Sequence, residues 1–151
     1  MTAVEIVNIY PELFEDENRR FSVKEYGLGV GPGWYGIVAD LVKEIRQNDE
    51  ASGRTSTLAQ IKEKFGGLRF YLEETSKENF DAILKAERLS LETCETCGAP
   101  GKSYSDGWIK TLCREHARES WENRSKWKED LTWERCWRHD NVNNSETPEG
   151  N

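Results

Sequence analysis

Cys94-Glu95-Thr96-Cys97 and, after fifteen intervening residues, Cys113-Arg114-Glu115-His116 decide how the second half of this chain folds. Two residues between paired ligands let both reach one ion. Four donors of this kind suit a tetrahedral zinc site, with zinc–sulfur bonds of about 2.3 Å. Gly98, directly after the first pair, permits the tight turn that closes such a knuckle. Between the pairs, Gly101, Asp106 and Gly107 suit a short hairpin whose second arm is Trp108-Ile109-Lys110-Thr111-Leu112. Cys113 and His116 then fall in the first turn of a following helix.

Knuckle, hairpin and helix in that order resemble a treble-clef zinc fold. With Cys94, Cys97, Cys113 and His116 all ligating, the expected single Zn2+ has no open position for water, so its predicted role is structural rather than catalytic. The plainer alternative is a set of thiols without metal, but a chain without an export signal sits where thiols stay reduced, and such spacing seldom arises by chance. The fourth cysteine, Cys136, is not needed and reads as a free thiol. Leu112-Cys113-Arg114-Glu115-His116 also resembles the end of zinc-stabilised HNH endonucleases. Those enzymes need a general-base histidine on the hairpin, and none occurs in 98–112. The one spare histidine, His139, reads as a surface residue, so the sequence predicts no enzyme and no catalytic residues.

Upstream, Phe80, Ile83, Leu84 and Leu91 predict a helix delivering the chain to the first cysteine pair, with Thr75 and Glu78 at capping-box spacing. Before it, Gly66-Gly67 separates two arms, and Leu68, Phe70 and Leu72 alternate with Arg69 and Tyr71 as a strand does. Leu58, Ile61 and Phe65 suit helix or strand equally. Trp34, Ile37, Val38, Leu41, Val42 and Ile45 mark the clearest amphipathic helix, which 48–54 should follow as a loop. The run Gly27-Leu28-Gly29-Val30-Gly31-Pro32-Gly33 fails the G-x-G-x-x-G spacing in either register, so a turn into that helix is expected rather than a phosphate cradle. At the N-terminus only a short helix is expected.

Downstream, residues 117–138 favour helix and carry Trp121, Trp127, Trp133 and Trp137 within seventeen residues. Such rings anchor interfaces, although here they are as well read as cover for the zinc module and the Trp34 helix. On a continuous helix the first three stand about 120° apart and share no face. The expected class is α+β: an N-terminal α+β domain at 1–92 in which a helix and β-hairpin pack with further helices, a zinc module at 93–118, a Trp-rich helical extension at 119–139 and a disordered tail at 140–151.

The chain has 151 residues and a formal charge of −7. Overall acidity opposes binding to phosphate backbones. Only 110–138 runs the other way, with eight Lys or Arg against six Asp or Glu, so nucleic-acid contact is expected there if anywhere. No run of eighteen apolar residues or secretory start is present, which predicts a cytoplasmic protein without membrane contact.

Together, Tyr10-Pro11-x-Leu13-Phe14, Gly33-Trp34-Tyr35, the stretch from Gln60 through Lys62-Glu63-Lys64-Phe65-Gly66-Gly67 to Tyr71, Cys94-Glu95-x-Cys97-Gly98-x-Pro100-Gly101 and Gly107-Trp108-x-x-Thr111-Leu112-Cys113-x-x-His116 resemble a widespread family of small phage and prophage proteins. The resemblance spans 10–117. It implies strand-turn-strand over 60–71 and a viral origin, hence residence in host cytoplasm, and little about activity. Relatives often carry cysteines before the Gly-Trp element, and this chain has none in 26–32. The expected function is an accessory protein that binds, and can inhibit, a host protein such as a defence or transcription component. The alternative is a zinc-dependent nucleic-acid-binding or transcription-modulating protein.

Overall fold

The computed structural model describes residues 1–15, 17–105 and 108–124. Its elements run α1 (Ala3–Ile9), a 3-10 turn (Pro11–Phe14), α2 (Glu17–Tyr26), a second 3-10 turn (Pro32–Trp34), α3 (Tyr35–Ser52), β1 (Leu58–Lys64), β2 (Gly67–Leu72), α4 (Lys77–Ser90), β3 (Lys102–Ser105), β4 (Ile109–Leu112) and α5 (Arg114–Arg124). The class is α+β, as expected, with two antiparallel pairs, β1–β2 and β3–β4. The expected helix beyond 124, the tail at 140–151, the hairpin turn residues Asp106 and Gly107, and Trp127, Trp133, Trp137, Cys136 and His139 lie outside the described residues.

The N-terminal segment forms more than the one short helix expected. Thr2 and Glu5 cap α1 reciprocally, the Thr2 hydroxyl accepting from the Glu5 N–H and the Glu5 carboxylate from the Thr2 N–H. Pro11 then starts the 3-10 turn that buries Leu13 and Phe14.

Helix α3 buries Val38, Leu41, Val42 and Ile45 at helical spacing, and Trp34 is fully buried at its start. The helix does not end at Asn48 as its polar sequence suggested. It runs on to Ser52, because Asp49, one turn past Ile45, is buried and fully engaged. Its carboxylate accepts from the Tyr10 hydroxyl at 2.8 Å, the Ser56 N–H at 2.8 Å, the Ser56 hydroxyl at 2.9 Å and the Asn79 amide at 3.0 Å. Four donors from three other segments offset the desolvation of the charge. This one residue joins the end of α1, the segment leading to β1 and the start of α4.

The cap of α4 lies one residue later than expected. The Ser76 hydroxyl, not Thr75, accepts from the Asn79 N–H at 3.2 Å. The inward face is accordingly Asn79, Ala82, Ile83, Ala86 and Ser90, while the expected core residues Phe80 and Leu91 are exposed. Small inward residues let α4 pack closely on α3 and on β2, where the Leu68 N–H donates to the Ser90 hydroxyl at 2.8 Å.

Both arms of the first hairpin are strands, with Ile61 opposite Phe70 and Lys64 opposite Gly67. Leu68, Phe70 and Leu72 are buried and Tyr71 is exposed, as the alternation predicted. The outward row is therefore Gln60, Lys62 and Lys64 on β1 with Arg69 and Tyr71 on β2. Among the described residues no helix is long and apolar enough to cross a membrane.

Candidate metal centre

The knuckle starts where α4 stops. The Cys94 carbonyl accepts from the Gly98 N–H at 2.9 Å, and the Cys94 N–H donates to Ala99 at 2.8 Å. Gly98 takes a φ of 78°, which a side chain would disfavour. Strands β3 and β4 follow in register, Lys102 opposite Leu112, and α5 then begins at Arg114, one residue after Cys113. The Glu95 N–H bonds the Thr111 carbonyl at 3.0 Å, fastening the knuckle to β4 and so holding the first ligand pair beside the second.

All four ligands predicted from spacing converge. One donor atom from each of Cys94, Cys97, Cys113 and His116 lies within 4.8 Å of the others. Cys97 Sγ and Cys113 Sγ are 3.9 Å apart, and His116 Nδ1 is 3.6 Å from Cys94 Sγ and 3.1 Å from Cys113 Sγ. Donors at tetrahedral positions around a zinc-sized ion stand about 3.5 to 3.8 Å from each other. The residues thus fit one metal ion with four protein donors. Among the described residues, no further group of His, Cys, Asp or Glu has this geometry.

The surroundings of Cys94 also suit a thiolate. Burial pushes the Cys94 thiol up, but the backbone N–H groups of Cys113, Cys97 and Thr96 aim at its sulfur and outweigh burial, leaving the thiol at about 7. Burial raises the Cys113 thiol, only partly opposed by a backbone hydrogen bond from His116. Cys94 is fully buried while Cys97 is exposed, so the site is closed on one side and reachable from the other.

The sequence alone did not reveal what supports the site. The glycine-rich run that failed as a phosphate loop lies against the knuckle. The Gly33 N–H donates to the Glu95 carbonyl at 2.8 Å, the Gly31 N–H to the Glu95 carboxylate at 3.0 Å, and the Trp34 indole to the Thr93 carbonyl at 2.8 Å. A Cβ at Gly33 would collide with the carbonyl oxygens of Cys94 and Glu95. Glycines at alternate positions before a tryptophan were the available signal, and only the partner was unreadable. The segment at 93–118 is consequently clamped to the start of α3 rather than merely following α4.

Trp121 is buried in one apolar cluster with Cys94, Tyr104, Leu112 and Ala117. The chain matches no protein-family model, no curated protein and no solved structure.

Proposed function

We propose that this protein acts by binding, that the Cys94, Cys97, Cys113 and His116 site holds a structural Zn2+ in a treble-clef-like module, and that its ligand is a nucleic acid. Three thiolates and an imidazole in tetrahedral spacing favour zinc over harder cations. Four protein donors favour support over catalysis, and 98–112 still offers no histidine for an HNH-type reaction.

The observation that carries the nucleic-acid reading is the outward face of the β1–β2 hairpin. Lys62, Lys64 and Arg69 lie there with Gln60 and Tyr71 and with no carboxylate among them, in a chain of net charge −7. Strand alternation turns Glu63 to the other face. The hairpin tip is tied to the zinc module, since the Thr111 hydroxyl donates to the Gly66 carbonyl at 2.6 Å. This basic row lies upstream of 110–138, where charge counting placed it. A salt titration of binding to mixed DNA and RNA tests the reading. Affinity falling steeply as salt rises from about 50 to 200 mM supports it, and no affinity at low salt sinks it.

The second reading is a phage accessory protein that binds a host protein in the cytoplasm. The exposed aromatic side chains of Phe65 and Trp108, bordering one cleft in an acidic protein, favour it. Of the four tryptophans in 121–137, Trp121 is buried, and Trp127, Trp133 and Trp137 lie outside the described residues. A pull-down from host lysate that recovers no stoichiometric partner would weigh against this reading.

A further inference from the structure

The turn joining β1 to β2 places a phenylalanine at a position where the hairpin needs a left-handed residue. Phe65 and Gly66 have φ of 53° and 78°, both left-handed, which is the two-residue turn that favours Asn-Gly. Glycine adopts this conformation freely, whereas a phenylalanine does so against its own sterics. Burial of the ring does not offset the strain, because Phe65 is 68% exposed. Strained residues persist where the surroundings hold them, and they cluster at ligand sites.

A second exposed ring borders the same cleft. Trp108, just before β4, is 64% exposed, and with Phe65, Lys64, Glu63 and Ile109 it borders a cleft of about 450 Å³. The cleft is held open by fixed parts. The Thr111 bond to the Gly66 carbonyl secures one wall to the other, and the Gly66 N–H donates to the Glu63 carboxylate at 2.7 Å, engaging the acid that borders it. The Lys64 ammonium lies 5.4 Å from the centre of the Phe65 ring, and Lys62 lies 5.8 Å from that of Tyr71. Cations thus line the approach to flat, exposed aromatic faces.

We infer that the cleft between Phe65 and Trp108 is a stacking site for single-stranded nucleic acid, with Lys62 and Lys64 reaching the phosphates. The inference rests on the nucleic-acid reading above and narrows it. Exposed rings bordering a cleft suit bases that are unstacked, and duplex bases are already stacked on each other. The basic row of Lys62, Lys64 and Arg69 beside the cleft favours a polyanion over a neutral partner.

Fluorescence anisotropy of the zinc-loaded full chain tests this, with labelled oligothymidylate and oligouridylate of about 12 nucleotides and a duplex of the same length as probes. Single strands should bind about tenfold more tightly than the duplex. Phe65→Asn should weaken binding about tenfold while leaving thermal stability equal or higher, since asparagine suits the left-handed position. Trp108→Ala, at an exposed position, should weaken binding similarly, and Lys64→Ala should reduce the salt slope by about 1. If single strands bind but Phe65→Asn and Trp108→Ala bind as well as the parent, the stacking site is refuted and nucleic-acid binding stands. If no nucleic acid binds and a labelled aspartate-rich peptide bearing a tryptophan does, both are overturned and the cleft is a protein-docking site.

Discussion

Gly33→Ala should destabilise the protein far more than one added methyl suggests, and Gly36→Ala, three residues on, should do the opposite. A Cβ at Gly33 meets the carbonyl oxygens of Cys94 and Glu95, which are backbone atoms of the knuckle and cannot rotate away. The knuckle must shift, which strains or breaks the Gly33 N–H bond to Glu95 and the Trp34 indole bond to Thr93. Overpacking costs about 1 to 3 kcal/mol and each of the two weakened hydrogen bonds about 1 kcal/mol, so a loss of about 3 to 5 kcal/mol is expected. A Cβ at Gly36 meets nothing within 4 Å on an exposed position in the first turn of α3, where alanine gains up to about 0.5 kcal/mol over glycine. Urea denaturation of both zinc-loaded variants gives the two signs, and chelator competition should show weaker metal binding for Gly33→Ala only. A Gly33→Ala protein within about 0.5 kcal/mol of the parent, with unchanged zinc affinity, would refute the claim that this loop buttresses the site.

Asp49→Ala leaves the Tyr10 hydroxyl, the Ser56 N–H and hydroxyl and the Asn79 amide without their acceptor in a buried site. A loss of about 3 to 5 kcal/mol in urea melts is expected, and under about 1 kcal/mol would mean the hub is dispensable. Burial, with the bond to Asp49, pushes the Tyr10 phenol up to about 12. The folded state thus favours the neutral form, and its contribution is complete below pH 10 and disappears as pH rises through about 12. The loss should be on the order of 2 to 3 kcal/mol and absent in Tyr10→Phe; equal alkaline profiles would contradict it. Trp121→Ala should cost about 3 to 5 kcal/mol and weaken zinc retention, because the ring packs against Cys94, Tyr104 and Leu112. Calorimetry with and without chelator measures both effects.

The metal site and the alternating strand were legible because their signals are local. Ligand spacing depends on how far two side chains on one short segment can reach, and Leu68, Phe70 and Leu72 declare a face by period alone. Helix α3 was legible up to Ile45 for the same reason. Its last turn was not, because Asn48 and Asp49 are polar by composition and are held by distant partners, Asp49 accepting from Tyr10, Ser56 and Asn79 and Asn48 donating to the Asn79 side-chain oxygen. Ser76 and Thr75 are equally good caps on paper, and packing against α3 and β2 chose between them, moving Phe80 to the surface. The glycines at 31 and 33 announced a close approach without saying to what, since Glu95 lies sixty-four residues from Gly31. Phe65 suited helix or strand on paper, and the left-handed turn sets it outside.

The most direct measurement is native mass spectrometry of the purified chain, joined to hydrogen exchange before and after chelation. The account predicts one zinc ion per chain. Removing the ion should release the amides of β3, β4 and the start of α5, with α3 and the β1–β2 hairpin still protected, and Cys113→Ser should behave like the chelated protein. A chain that carries no metal, or a Cys113→Ser protein with unchanged zinc content and exchange, would contradict the claim that Cys94, Cys97, Cys113 and His116 hold the C-terminal half together.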